Sequence, residues 1–220
     1  GILRACGEAE KGFAGLVLWQ RGEPFSLGAD LSSIAPAAAA GQQSTVEAVV
    51  AKFQQTSLAL RYCLVPTIAA VRGMALGGSC EFVLHCDRTV AALESYIGLV
   101  EVGVGLLPGG GGCKEFAVRA AEESRRGAAG SQIDMLPVLR AYFQTIATAT
   151  VAKSALEAQA LGYLRPSDVV VPNAREVLHV AKAQARAMAE SGYRPPLRPR
   201  DIAVAGRTGL ATLKMMLVNM

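Results

Sequence analysis

Two glutamates stand beside glycine-rich turns in this chain. Glu81 lies in GMALGGSCEFVLHCD (Gly73–Asp87), and Glu101 follows twenty residues later in GLVEVGVGLLPGGGG (Gly98–Gly112). A carboxylate can take or give a proton, but in segments this apolar it needs a partner or a purpose. Phe82, Val83 and Leu84 follow Glu81 at once, which predicts a largely buried helix with the carboxylate in its first turn. The first turn of a helix also presents free N–H groups and the positive end of the dipole. With glycine at Gly77 and Gly78, a ligand carbonyl can reach those N–H groups without meeting a side chain.

Other chemistries fit less well. GVGLLPGGGG invites a phosphate-loop reading, but Lys114 follows Gly112 and Cys113 and precedes Glu115, so the Gly-Lys-Ser/Thr ending is missing. The dinucleotide pattern GxGxxG fails from Gly103 at Pro108, and from Gly105 it requires a glycine at Leu107. No G-x-S-x-G elbow is present, and neither histidine, His85 or His179, has an obvious nucleophile beside it. Cys80 and Cys86 flank His85 at a spacing that matches no usual zinc pattern. The five cysteines, Cys6, Cys63, Cys80, Cys86 and Cys113, make no CxxC pair and read as reduced thiols of a cytoplasmic protein.

The elements that must position the glutamates follow from pattern. A chain of 220 residues is most simply one domain. No apolar run reaches the ~18 residues of a membrane span, and GILRACGEAEKG carries no hydrophobic signal segment. A net charge of +4 without a basic block argues against nucleic acid as a partner. FAGLVLWQ and VPTIAAV read as buried strands, RTVAAL, SYIGLV and SDVVV as shorter ones, and RGMALGG as a turn. An alanine-rich loop should lead to a helix that opens with a capping box, Ser44 with Glu47, and carries Val46, Val49, Val50, Phe53, Leu60 and Leu64 at helical spacing. Further capping boxes, Ser154 with Glu157 and Asn173 with Glu176, predict two later helices, stopped at Gly162 and Gly192. Residues 122–133 are the best surface-loop candidate. Strands alternating with helices give an α/β domain with mainly parallel strands. The absence of an initiator methionine, and an end at Met220 inside the helix-like GLATLKMMLVNM, lead us to expect a piece of a longer polypeptide.

Taken together, FSLGADL (Phe25–Leu31), GMALGGSCE and GLVEVGVGLLPGGGG resemble the crotonase superfamily, and within it the enoyl-CoA hydratases. SALEAQALGYLRPSDVVVP looks like the family's short helix, turn and strand, and the match runs over about residues 12–190. The middle and tail are similar to the hydratase part of fused 3-hydroxyacyl-CoA dehydrogenase/enoyl-CoA hydratase chains. The resemblance implies a (ββα)n spiral core over residues 1–192, with the opening strands missing, and a linker and truncated helical segment over 193–220. It implies that Ala29 and Gly78 supply the two oxyanion-hole N–H groups and that Glu81 and Glu101 are the catalytic carboxylates. The implied reaction adds water to a 2-enoyl thioester. Coenzyme A enters only as part of the acyl-CoA substrate, and no other cofactor or metal is needed. A trimer-based homo-oligomer, and a dehydrogenase domain in the same parent chain, are implied as partners. An enoyl-CoA isomerase using Glu101 alone, or a non-catalytic module of the same fold, stays open. Ser79 in place of a frequent third glycine, and Leu99-Val100 in place of Gln-Pro, are departures expected to reshape the acyl pocket.

Overall fold

The computed structural model describes residues 1–127 and 134–219. Helix α1 (Ile2–Ala9) precedes strand β1 (Leu16–Trp19) and helices α2 (Leu31–Ala39) and α3 (Gln43–Arg61). Strands β2 (Thr67–Val71) and β3 (Met74–Leu76) then lead into helix α4 (Gly78–His85). Next come β4 (Arg88–Ala92), β5 (Tyr96–Gly98), a 3-10 turn at Glu101–Val104 and helix α5 (Gly112–Gly127). The chain continues through α6 (Leu136–Ala147), β6 (Val151–Ala152), α7 (Ala155–Ala160), β7 (Val169–Val171), α8 (Val177–Glu190) and α9 (Gly206–Val218).

Strands β1, β2, β4 and β7 lie side by side in that order, all parallel. A smaller sheet holds β3 parallel to β5 and β5 antiparallel to β6, and Ser26 bridges to Ala75 at its margin. From β2 to α5 the chain twice lays residues in the large sheet, then in the small one, then in a helix. This is the (ββα) spiral of the crotonase-like fold. Every residue of β2 is buried, as a parallel strand covered on both faces must be. Ile68 and Ala70 pack with Val177, Ala181 and Ala185 of α8, while Ala69 and Val71 join the core with Leu60, Val83, Leu84 and Phe116. Val83 and Leu84 are 1% and 0% exposed. Burying such side chains is worth roughly 1.5–3 kcal/mol each, so packing fixes the orientation of α4 independently of its glutamate.

Several local readings of the sequence are corrected. The RGMALGG turn contains β3, whose short run takes its register from β5. The alanine-rich loop is helix α2, started by Asp30, whose carboxylate accepts the Ser32 N–H at 3.0 Å; alanine propensity carries it through Pro36. Helix α3 begins at Gln43, one residue before the expected cap, and Glu47 accepts from the Gln43 side chain instead of closing a capping box. Asn173 caps a 3-10 turn, Ala174–Glu176, that feeds α8, and not α8 itself. Ser154 does cap α7 through the Glu157 N–H, and Gly162 and Gly192 take the left-handed conformation expected of them. Residues 122–127 belong to α5, while the rest of the proposed surface loop, 128–133, lies outside the described residues. Helix α1 and strand β6 were not expected.

Candidate active site

The N-terminus of α4 and the segment before α2 are laid together by backbone bonds. Phe25 and Ser26 donate to the carbonyls of Arg72 and Met74, and Leu76 donates back to Ser26, so residues 25–29 run beside β3. Gly28, at φ +96°, approaches so closely that a Cβ there would stand 3.1 Å from the Gly78 nitrogen. Only glycine fits both the conformation and the gap. The Ser79 hydroxyl lies 2.7 Å from the carbonyl oxygens of both Ser26 and Leu76, stitching the two segments. Its polar end is thus turned into the backbone, away from any pocket. The amides of Ala29 and Gly78 find no hydrogen-bond acceptor among the described residues.

Glu81 is 3% exposed and is gripped by the proline–glycine loop. Gly112 N–H donates to its Oε1 at 2.8 Å. Gly110 lies against the carboxylate with no room for a Cβ, and Gly111, at φ +128°, passes over the His85 ring. Burial raises the Glu81 carboxyl to about 7, against the N–H donors of Gly110, Gly111 and Gly112, while the Glu101 charge adds to the rise. Glu101 opens the 3-10 turn after β5, and neither of its buried oxygens has a hydrogen-bond partner. Burial raises its carboxyl as well. Two carboxyls held above their usual range suit proton transfer near neutral pH.

All four residues singled out in the sequence line one cavity of about 190 Å³: Ala29, Gly78, Glu81 and Glu101. Val46, Val49, Val50 and Phe53 of α3 wall it on one side, and Val100 and Leu107 contribute apolar surface elsewhere. Leu99, the other half of that departure, is fully buried core and only Val100 reaches the cavity. A larger cleft of about 770 Å³ beside Arg72, Met74, Tyr96 and Lys153 holds none of the four. Sequence reasoning missed Phe53, which stacks on Phe82 at 5.4 Å and occupies the space above Gly78. It also missed the loop glycines as holders of Glu81. The run of four glycines was the available signal, since three consecutive residues with no space for a Cβ mark a backbone pressed against something.

Beneath the site sits a charge cluster. Glu115 of α5 pairs with Arg61, Arg119 and Arg165, and these arginines also donate to the Leu84 carbonyl at the end of α4. The three guanidinium charges hold the Glu115 carboxyl far below the usual range although burial opposes them. The cluster ties α3, α4 and α5 at one point.

Residues 4–127 match the family described as enoyl-CoA hydratase/isomerase. A "Probable 3-hydroxyacyl-CoA dehydrogenase" of Bacillus subtilis (strain 168) is 38% identical over 206 residues, 94% of this chain and 25% of that protein. The fatty acid oxidation complex subunit alpha of Colwellia psychrerythraea (strain 34H) is 62% identical over 47 residues, 21% of this chain and 6% of that one. The chain thus spans about a quarter of the length of the Bacillus relative. Among solved structures, an enoyl-CoA hydratase from Bacillus anthracis superposes with TM-score 0.65 at 24% identity, covering 99% of this chain and 77% of that one, and shares the fold.

Proposed function

The chain belongs to the enoyl-CoA hydratase/isomerase family, and from that premise we propose that it hydrates 2-enoyl-CoA thioesters to 3-hydroxyacyl-CoA. The observation that carries this reading is the single cavity in which two buried carboxylates meet two unpaired backbone amides. Adding water at the β-carbon pushes charge onto the thioester oxygen. In this reading the Ala29 and Gly78 N–H groups receive that oxygen, and losing one such donor typically costs roughly 3 kcal/mol. Glu81 takes a proton from water as the oxygen attacks the β-carbon, protonated Glu101 delivers one to the α-carbon, and passage of the proton from Glu81 to Glu101 restores the starting state. The fixed orientation of Glu81 suits it to aim the water. The unpaired oxygens of Glu101 are free to hold the same water and to exchange the α-proton.

The reaction needs no separate cofactor in this proposal, since the carboxylates and amides supply every proton and charge contact, and coenzyme A arrives on the substrate. We place the activity in fatty acid β-oxidation, in the cytoplasm, within a trimer-based homo-oligomer. A dehydrogenase carried on the same parent polypeptide would oxidise the 3-hydroxyacyl product. Sedimentation tests the assembly, and a monomer with the fold intact would refute it.

The test of the activity uses the two glutamates. Glu81→Gln and Glu101→Gln should each lower hydration of crotonyl-CoA by roughly 10²–10⁴, and the double variant should fall well short of the product of the two losses. An isomerase would lose 3-enoyl-CoA turnover with Glu101→Gln and keep it with Glu81→Gln. A hydration rate unchanged by Glu81→Gln would sink the assignment, and a wild type that binds acyl-CoA without turnover would make the domain a binding module.

A further inference from the structure

His85 is fully buried one helical turn after Glu81 and takes no part in the proposed chemistry. Its Nδ1 lies 2.7 Å from the Glu81 carbonyl oxygen. A carbonyl only accepts, so Nδ1 carries the proton, and Nε2 of the neutral ring is left as an acceptor. The Lys114 ammonium stands 2.9 Å from that Nε2. Lys114 lies two residues beyond Gly112, whose N–H holds the Glu81 carboxylate. Between these contacts Gly111 crosses the ring face, so close that a Cβ would come within 2.7 Å of Cε1. The imidazole is therefore a strut between α4 and α5, with the Gly111 backbone resting on it.

We propose that His85 is a positioning residue for Glu81: as a neutral Nδ1–H imidazole bridged to Lys114, it seats the glycine loop so that the loop's N–H groups grip the carboxylate. The inference rests on the hydratase reading given above. Its chemistry follows from what the strut touches. If the ring is lost, the loop slackens and Glu81 loses N–H donors, which favours the protonated carboxyl. The remaining charged or titratable neighbours of Glu81 are Glu101 on the 3-10 turn, Cys113 on α5 and Cys80 on α4, and those of His85 are Lys114 and Glu115 on α5 and Arg61 on α3. Glu115 is held ionised by its arginines, and burial keeps the imidazole neutral down to about 4. The strut is thus unchanged across the range in which the enzyme would work.

The test is the pH profile of crotonyl-CoA hydration for wild type, His85→Leu, His85→Gln and Lys114→Met, with the imidazole tautomer read by nitrogen NMR. In His85→Leu, kcat should fall roughly 10–10²-fold with KM little changed, and the acid limb should move to higher pH. Glutamine, whose amide oxygen can accept from Lys114, should restore part of both. Lys114→Met, at a half-exposed position that leaves the core intact, should move the limb the same way. An Nε2–H tautomer, or a His85→Leu or Lys114→Met enzyme with wild-type kcat and an unmoved limb, would overturn the proposal. If His85→Leu does not fold, Lys114→Met and the tautomer decide. An inactive wild type would overturn the hydratase reading instead, leaving the tautomer to report on the strut.

Discussion

Phe53 fills the space that a side chain at Gly78 would need: a Cβ there would stand 2.6 Å from the ring's Cε1. Glycine at this position therefore serves the packing of α3 on α4 as well as access to the helix N-terminus. Gly78→Ala should destabilise the fold by roughly 1–3 kcal/mol through overpacking. Adding Phe53→Leu should recover stability, and with it hydration, because the Gly78 amide is backbone and survives both changes. Denaturant melts paired with crotonyl-CoA assays check this; a stable but inactive double variant would show that the bare helix end itself is required.

In the proposed reaction Glu81 sets an acid limit on activity. Its carboxyl is held up to about 7 by burial, and only the ionised form accepts a proton from water, so kcat/KM should fall as pH drops below that value. Stability runs the other way. The folded-state value lies above the ordinary 4.5, so the burial carries no charge penalty below 4.5 and an increasing one as pH rises through 7. The full penalty is on the order of 3 kcal/mol. Glu81→Gln should accordingly be more stable than wild type at pH 8 and equal to it at pH 4. Urea titrations at the two pH values measure the difference, and a larger gain at pH 4 would contradict the environment assigned to this group.

Gly110 lies directly against the Glu81 carboxylate. Gly110→Ala should push the carboxylate aside without touching α4's core face, lowering kcat by about 10²-fold while the melting temperature moves little. Steady-state kinetics beside thermal melts separate the two effects. Equal activity would place the water-activating oxygen elsewhere.

Glu115 pairs with three guanidinium groups and supplies the one negative charge set among them. Glu115→Gln leaves them uncompensated and should cost about 3–5 kcal/mol, with activity lost only as the fold is lost. The carboxyl is depressed, so its contribution is present above its ordinary value and disappears as pH falls toward the folded-state one. Wild type and variant should therefore converge in stability only in strong acid. Converging melts at pH 5 would refute the linkage.

How far the sequence reached depended on what kind of order each element has. Glu81 and Glu101 were legible because a charged residue in an apolar run is conspicuous, and their glycine turns told which helix end was open. Strands β1, β2, β4 and β7 were legible as short apolar runs. Strand β3 was not, since its three residues form no period of their own and exist only by pairing with β5. Helix α2 was hidden because its alanines show no amphipathic stripe. Phe53 read as one more core residue on α3; that it faces Gly78 depends on the angle at which α3 meets α4, which spacing does not encode. The place of His85 is hidden in the sequence because its partners, the Glu81 carbonyl and Lys114, are a backbone group and a residue on another helix.

The two carboxylates stand on different foundations. Moving the backbone that carries Glu81 means melting α4, whose side chains share a core with both sheets and whose Leu84 carbonyl is held by the arginine cluster. Glu101 rides on a single 3-10 turn followed by exposed residues, with Leu107 74% exposed. The hydrogen-bonded amides of α4, from Glu81 onward, should then exchange only with global unfolding, whereas those of residues 102–107 should exchange through local opening. One wall of the cavity is set in core and the other in exposed chain. In the proposed reaction, changes of acyl-chain size would be met by repacking residues 102–107 around an immobile Glu81, so substrate range would drift in such a domain without disturbing the base that deprotonates the attacking water.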